Sequence, residues 1–210
     1  ALVFAVIMNF GAFFFSHKIV LAMYRAKEAP KSKYPKLHAM IEEICKKSGA
    51  VCANYNAADQ VVLSGTVEAI ERAEALAKGQ GAKRAIKLDV AGAFHSPLMQ
   101  PAADAFKAAL AKIDIRQPVF PVVSNVTGEP VTDPGKIREL LVRQIVSPVR
   151  WEASVRAMLK AGATHFIEFP PARVLTGLLR RIDKTSTGIA IDTPDDFAQV
   201  AAALAIPLSI

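Results

Sequence analysis

The chain has 210 residues, of which 52% are hydrophobic and 21% are charged, and its formal net charge is +7. This balance is typical of one or two folded domains and excludes an intrinsically disordered chain. The positive charge favours an anionic partner, which leaves nucleic acid, a membrane surface, phosphate-bearing substrates and acidic proteins open. Cys45 and Cys52 have neither metal-ligand nor CxxC spacing, so they predict reduced, buried thiols and a cytoplasmic protein.

The first fifteen residues are nearly all apolar and predict a buried core helix. They lack the basic n-region that a secretory signal requires. Ser16, His17 and Lys18 interrupt the run before the roughly 20 apolar residues that a membrane span needs. A membrane-associated segment and a start that is not native protein remain open alternatives.

Residues 30–90 predict a small subdomain that begins with a basic, proline-bearing linker. The predicted order is helix, strand, strand, helix, strand, over residues 37–48, 51–56, 60–64, 67–78 and 84–90. In the last strand Ile86, Leu88 and Val90 alternate with polar residues, as expected for a strand with one buried face. This order matches a ferredoxin-like βαββαβ unit that lacks its first strand.

Residues 91–210 alternate helices with apolar strands, which predicts an α/β fold with an open, mostly parallel sheet. Helices are expected over residues 97–113, 134–145, 151–161, 171–182 and 195–205, and strands over 118–126, 164–169 and 188–191. The strand over 118–126 is apolar enough to be buried on both faces. Asp133 and Pro134 are typical of a helix N-cap and first helical residue. Together with residues 1–29, this part predicts the α/β core.

His95 is the residue most suited to proton transfer. It follows a predicted strand and directly precedes Ser96 and Pro97, a favourable N-cap and first-turn pair for the next helix. The positive end of that helix disfavours a protonated ring, which would leave the histidine neutral and able to accept a proton. A purely structural histidine at this junction is the alternative reading.

Six short motifs occur in one order along the chain: NYN (54–56) with Gln60, FHSPLM (94–99), PVVSNV (121–126), LVRQ (141–144), SPVRW (147–151) and VLTGL (174–178). This ordered set resembles the malonyl-CoA:acyl-carrier-protein transacylases over about residues 38–183. The resemblance implies a hydrolase-like parallel-sheet acyltransferase core with an inserted ferredoxin-like subdomain. It therefore agrees with the two parts predicted above.

The same resemblance implies a role for several residues. His95 would be the general acid and base, and Gln144 would lie beside it and help to orient its ring. Arg25 matches the arginine that clamps the malonyl carboxylate, since a guanidinium pairs with a carboxylate through two bonds. Phe94 matches the position that goes with malonyl rather than branched extender units. The remaining substrate-binding residues would be Asn56 and Gln60, and no metal site is expected.

The sequence departs from the family pattern at the nucleophile. The family uses a serine in a GHSLG-type elbow, and no GxSxG occurs in these 210 residues. The glycine- and glutamine-rich segment that supplies an oxyanion donor is absent as well. In place of the family's Gly-Pro-Gly, residues 170–172 read Pro-Pro-Ala, and proline cannot adopt the positive φ that glycine allows.

The resemblance implies transfer of a malonyl group from malonyl-CoA to the phosphopantetheine thiol of acyl carrier protein in fatty acid biosynthesis, by a cytoplasmic enzyme without a cofactor. The alternatives are a catalytically dead module that binds carrier protein and one part of a split enzyme. A carrier protein would meet the basic surface formed by Arg138, Arg143, Arg150, Arg180 and Arg181. A nucleic acid partner is not expected, because the strands lack the interleaved aromatics of an RNA-binding sheet. A membrane partner is not expected either, since Ser16, His17 and Lys18 interrupt the apolar run too early for a span.

Overall fold

The computed structural model describes residues 35–170 and 173–205. Thirteen helices and strands lie there: α1 (Pro35–Ser48), β1 (Val51–Ala57), β2 (Gln60–Ser64), α2 (Val67–Gly79), α3 (Gln100–Leu110), β3 (Val122–Val123), β4 (Pro130–Val131), α4 (Pro134–Arg143), α5 (Trp151–Lys160), β5 (His165–Glu168), α6 (Val174–Ile182), β6 (Thr187–Ala190) and α7 (Phe197–Leu204). The 3-10 helices Pro97–Met99 and Pro194–Asp196 precede α3 and α7. The α/β composition agrees with the sequence. The predicted N-terminal helix and Arg25 lie outside the described residues.

Helix boundaries follow the capping chemistry of the local sequence. The Asp133 carboxylate accepts a hydrogen bond from the Lys136 N–H at 2.6 Å, which confirms the predicted N-cap of α4. The Thr66 hydroxyl does the same at the start of α2, where it accepts from the Ala69 N–H at 3.2 Å. Each of these bonds satisfies a backbone donor that has no partner inside its own helix.

The described strands form three pairs. Strands β1 and β2 form an antiparallel hairpin, β3 and β4 form a second antiparallel pair, and β5 and β6 run parallel. An isolated parallel bridge joins Asn54 of β1 to Val149, in the loop that connects α4 to α5. This loop, residues 144–150, is called the α4–α5 loop below.

Two apolar clusters form the core. The first lies between α1, α2 and the β1–β2 hairpin, and its buried members are Ile44, Ala50, Ala69 and Ala73. The second joins β1 to α5 and α6, and its buried members are Ala57, Val155, Leu179 and Ile182. Strand β1 runs from the first cluster to the second, because Ala50 directly precedes it and Ala57 is its last residue.

Two predicted strands are wrong. Residues 84–90 form no strand, and Ile86, Leu88 and Val90 are 55–70% exposed. The described part of the predicted ferredoxin-like unit is thus helix, strand, strand, helix. The strand predicted over 118–126 is reduced to Val122–Val123, and Val119 is fully exposed. Alternation and apolarity make a segment suitable for a strand, but a strand forms only where a second backbone pairs with it.

Two helices begin a few residues later in the structure than the sequence predicts. The helix predicted from residue 97 begins as the 3-10 turn and continues as α3, and the helix predicted from residue 171 begins at Val174. Among the described residues, no helix is long and apolar enough to cross a membrane.

Candidate active site around His95

His95 lies in the turn before Pro97–Met99 and is fixed by the end of α4. Its N–H donates to the carbonyl of Ile145 at 3.1 Å, and its ring Nδ1 lies 2.7 Å from the carbonyl oxygen of Gln144. Gln144 is the C-cap residue of α4 and Ile145 follows it, so neither carbonyl takes part in the bonds of the helix and both are free to accept. A carbonyl only accepts, and therefore Nδ1 carries the proton. The Nε2 lone pair is left available to take a proton from another group.

The backbone of His95 is in the left-handed region, with φ of 59°. This conformation costs an L-residue about 1 kcal/mol, although histidine, asparagine and aspartate adopt it more readily than other residues. The hydrogen bonds to Gln144 and Ile145 hold the residue there. Strain of this kind is typical of functional positions.

Ser96 fixes the turn from its other side. Its side chain is buried, its hydroxyl donates to the Ala93 carbonyl at 2.7 Å, and it accepts from the Leu98 N–H at 3.3 Å. The predicted cap formed by Ser96 and Pro97 is therefore present. These contacts leave His95 half-buried between the turn and the α4–α5 loop.

The α4–α5 loop is itself held by two neighbouring segments. Val149 donates to Ala53 and accepts from Tyr55, both at 2.8 Å, so the loop is bonded to β1. The Arg150 N–H donates to the Asn125 carbonyl at 2.8 Å, and the Arg150 Nε donates to the Val126 carbonyl at 3.1 Å. The carbonyl that meets the His95 ring thus belongs to a segment anchored on both sides.

The structure places Gln144 beside His95 through its main chain rather than its side chain. The Gln144 side-chain oxygen instead accepts from the amide of Asn125 at 3.3 Å. Sequence reasoning placed Asn125 in a matching motif but gave it no role. Its position just after an apolar run, next to the buried Ser124, was the available signal.

The other predicted site residues are less closely connected to His95. Phe94 precedes it in the same turn and is 50% exposed. Asn56 is half-buried on β1, one residue after Tyr55, which bonds the α4–α5 loop. Gln60 is exposed at the start of β2, opposite Ala57. The hydrogen bonds that hold His95 involve none of these side chains.

A cavity of about 330 Å³ lies between α5, α6, β5 and the segment around β3. Apolar side chains form most of its wall, and Asn125 and Glu168 supply polar groups there. Trp151 also borders the cavity, and its buried Nε1–H has no acceptor among the described residues. Asn125 therefore lines this cavity and also bonds the side chain of Gln144, whose carbonyl meets the His95 ring.

Glu168 is a buried carboxylate that the sequence analysis missed. Its two oxygens accept from the N–H groups of Leu175 and Thr176 at 2.8 and 2.7 Å, at the start of α6. Burial raises the pKa of Glu168, but the hydrogen bonds from Thr176 and Leu175 outweigh it and hold the pKa below its ordinary value. The ionised carboxylate thus stabilises the helix N-terminus, where the macrodipole favours negative charge.

Neither cysteine of the chain is activated as a nucleophile in the described structure. Burial raises the pKa of Cys45, and it raises the pKa of Cys52 to about 11 despite a hydrogen bond with Tyr55. Both thiols are therefore protonated near pH 7 and are poor nucleophiles. In the described ranges, the hydroxyls of the buried Ser96 and Ser154 donate to main-chain carbonyls. The same ranges hold no cluster of acidic, histidine or cysteine side chains suited to a metal ion.

Comparisons with known proteins show the family to which the chain is similar. A family model described as "Acyl transferase domain" matches residues 21–193. The malonyl CoA-acyl carrier protein transacylase of Bacillus subtilis (strain 168) is 44% identical over 143 residues, which are 68% of this chain and 45% of that protein. The chain thus spans about half the length of the curated relatives it matches.

Solved structures agree with this result. The malonyl-CoA:acyl carrier protein transacylase of Xanthomonas oryzae pv. oryzae superimposes with a TM-score of 0.75 at 37% identity, covering 79% of this chain and 54% of that one. One chain of the solved complex between a type II PKS acyl-carrier protein and its malonyl-transacylase matches with a TM-score of 0.74 at 37% identity, covering 79% of this chain and 55% of that one. The fold is therefore that of α/β acyltransferases.

Proposed function

Because the chain belongs to the acyl transferase domain family, we propose that it supplies the general base of a malonyl transfer from malonyl-CoA to acyl carrier protein in fatty acid biosynthesis. The observation that carries this assignment is the 2.7 Å contact between His95 Nδ1 and the Gln144 carbonyl. That contact fixes the tautomer in which Nε2 is a base. The relatives named above are transacylases of this kind, which supports the choice of reaction.

The proposed reaction proceeds in two balanced steps through a serine ester. In the first step, His95 Nε2 takes the serine proton while serine Oγ bonds the thioester carbonyl carbon of malonyl-CoA. The C–S bond then breaks, and the CoA sulfur takes that proton from Nε2. In the second step, the phosphopantetheine thiol gives its proton to Nε2 and its sulfur bonds the carbonyl carbon of the serine ester. The ester C–O bond then breaks, and serine Oγ takes the proton back from Nε2. The Gln144 carbonyl stabilises the positive ring between the transfers.

The serine in this mechanism lies outside these 210 residues, which contain no GxSxG. The cavity beside Asn125 and the unpaired indole N–H of Trp151 support a segment that packs there. In this arrangement residues 1–29 and 91–210 belong to the acyltransferase core, and residues 30–90 form the inserted subdomain.

Four residues select the substrate in this proposal. Arg25 clamps the malonyl carboxylate, Phe94 limits the acyl group, and Asn56 and Gln60 contact the substrate. No cofactor takes part. Cys45 and Cys52 are free thiols, which supports a reducing compartment such as the cytoplasm.

Acyl carrier protein is the proposed macromolecular partner, supported by the net charge of +7. Four of the five arginines named for docking are engaged within the chain: Arg138 with the Leu110 and Ile113 carbonyls, Arg143 with Glu139, Arg150 with Val126 and Arg181 with Asp59. Arg180 is exposed, and its side chain makes no hydrogen bond or ion pair with the described residues. Docking is therefore expected to depend most on Arg180.

The absence of GxSxG supports a second candidate, a module that docks carrier protein without turnover. One assay separates the two: labelled malonyl-CoA and holo acyl carrier protein are mixed with this chain, with and without the segment of the Bacillus subtilis relative that carries the serine elbow. We expect malonyl-carrier protein only when both parts are present. Carrier protein that binds without ever becoming malonylated would favour the docking module.

The same assay tests the base. His95→Gln is expected to lower transfer about 100-fold or more, since a positioned acid-base group contributes that much. The matched control is His165→Gln, because His165 is exposed on β5 and its ring nitrogen contacts Thr164. Equal rates for the two variants would remove His95 from the mechanism.

A further inference from the structure

We propose that Asn125 is a positioning residue for His95, acting through Gln144. The role rests on the proposed function of His95 as a base. Asn125 touches the α4–α5 loop at both ends: its amide donates to the Gln144 side-chain oxygen at 3.3 Å, and its carbonyl accepts from the Arg150 N–H at 2.8 Å. Gln144 is the residue whose carbonyl holds the His95 ring.

The Gln144 carbonyl needs this support because it lies just past the end of α4. Gln144 is the C-cap residue, and its carbonyl points to His95 rather than into the helix. Helix ends fray, and misplacing a catalytic group by about 1 Å can lower the rate about 100-fold. The bond from Asn125 limits that fraying by fixing the Gln144 side chain.

The side chain of Asn125 can be removed without detaching the loop. The bonds from the Arg150 N–H to the Asn125 carbonyl and from Arg150 Nε to the Val126 carbonyl use main-chain acceptors, so they persist in a variant. Val149 remains bonded to β1 as well. Loss of the amide therefore acts on Gln144 and the His95 tautomer, and the fold is retained.

The test measures the His95 tautomer by long-range ¹H–¹⁵N NMR of the imidazole ring in this chain, without substrate. We expect the Nδ1–H form to dominate in the wild type. Asn125→Ala is expected to raise the ratio of Nε2–H to Nδ1–H about fivefold, the change that follows from weakening one neutral hydrogen bond. His38 and His165 serve as internal references. Asn125→Asp is expected to restore the wild-type ratio, because the Gln144 amide can turn and donate to a carboxylate.

Two further variants keep the test decisive. Gln144→Met removes the same bond from the opposite side while it keeps the main-chain carbonyl, and it should shift the ratio in the same direction. The double variant with Asn125→Ala should shift it no further than either single change. Thr127→Ala is the matched control, since the Thr127 hydroxyl accepts from the Glu129 N–H in the same turn and makes no other hydrogen bond among the described residues.

An unchanged tautomer in Asn125→Ala, or an equal shift in Thr127→Ala, would overturn the role of Asn125. An additive double variant would overturn it as well. None of these results depends on malonyl transfer. If His95 orients as expected but His95→Gln retains full transfer, the proposed function fails while the coupling stands.

Discussion

The ring Nδ1 of His95 lies 2.7 Å from a main-chain carbonyl, that of Gln144, at the position where a serine–histidine–aspartate triad has a carboxylate. A carbonyl sets the same tautomer as a carboxylate but carries no full negative charge. It also cannot be removed by changing a side chain. The backbone strain at His95 can be tested separately from the stability and reactivity of the other described residues.

The first prediction concerns the left-handed backbone of His95. His95→Ala and His95→Asn both remove the ring, but asparagine tolerates this conformation better than alanine. We expect His95→Asn to be more stable than His95→Ala by about 0.5–1 kcal/mol. Urea unfolding measures the difference, and equal midpoints would show that the backbone relaxes when the ring is absent.

The second prediction concerns Arg173, which precedes α6 with φ of 83°. Glycine adopts this conformation freely, so Arg173→Gly should raise the free energy of unfolding by about 0.5 kcal/mol. The change also removes an exposed ion pair with Asp192, which contributes little. Arg173→Ala is the control, because it loses the ion pair and keeps the strain. A glycine variant no more stable than the alanine variant would contradict the prediction.

The third prediction concerns the pH dependence that Glu168 confers. Its pKa is lower in the folded chain than in the unfolded chain, so its stabilisation is complete above the unfolded pKa of about 4.3 and is lost as the pH falls through the folded value. Glu168→Gln should lower stability by about 1–3 kcal/mol at pH 7, because an amide leaves one helix N–H unpaired. It should also flatten the loss of stability in acid.

Urea titrations of both proteins between pH 7 and pH 3 measure this effect. Glu139→Gln is the matched control, since Glu139 is exposed and pairs with Lys136 and Arg143 on the surface of α4. A Glu168→Gln variant that retains the full acid sensitivity of the wild type would show that other carboxyl groups cause it.

The fourth prediction concerns the thiols. With its pKa raised to about 11, Cys52 should react with iodoacetamide at pH 8 roughly 100-fold more slowly than a free cysteine. In urea both thiols should react at the free rate. Mass spectrometry after timed quenching resolves Cys45 from Cys52. Rapid labelling of folded Cys52 would identify it as a usable nucleophile.

The fifth prediction concerns exposed apolar surface. Val119 and Phe120 are 100% and 75% exposed, which is unusual for large apolar residues side by side. Phe120→Lys should reduce binding of the dye ANS and reduce self-association in sedimentation velocity. Thr127→Lys adds the same charge at an exposed polar position and should change neither. Equal effects of the two variants would attribute the change to charge alone.

The sequence by itself determined the local features of this protein. The N-cap at Asp133, the turn at Ser96 and Pro97 and the position of His95 before a helix were all predicted, and each depends on residues within four positions of one another. Capping bonds form between near neighbours, so their partners can be identified in the sequence. The family resemblance extended this information to the fold.

The resemblance places Gln144 beside His95, but only the tertiary structure decided that the Gln144 main-chain carbonyl, rather than its side chain, meets the ring, and which strands form. The acceptor of its ring is a main-chain carbonyl 49 residues away, and every residue has such a carbonyl, so no side-chain pattern identifies it. The contact between Asn125 and Gln144 likewise requires two segments to come together. Residues 84–90 have the alternation of a strand but pair with no other strand among the described residues. Pairing is a property of two segments, and a single segment cannot specify it.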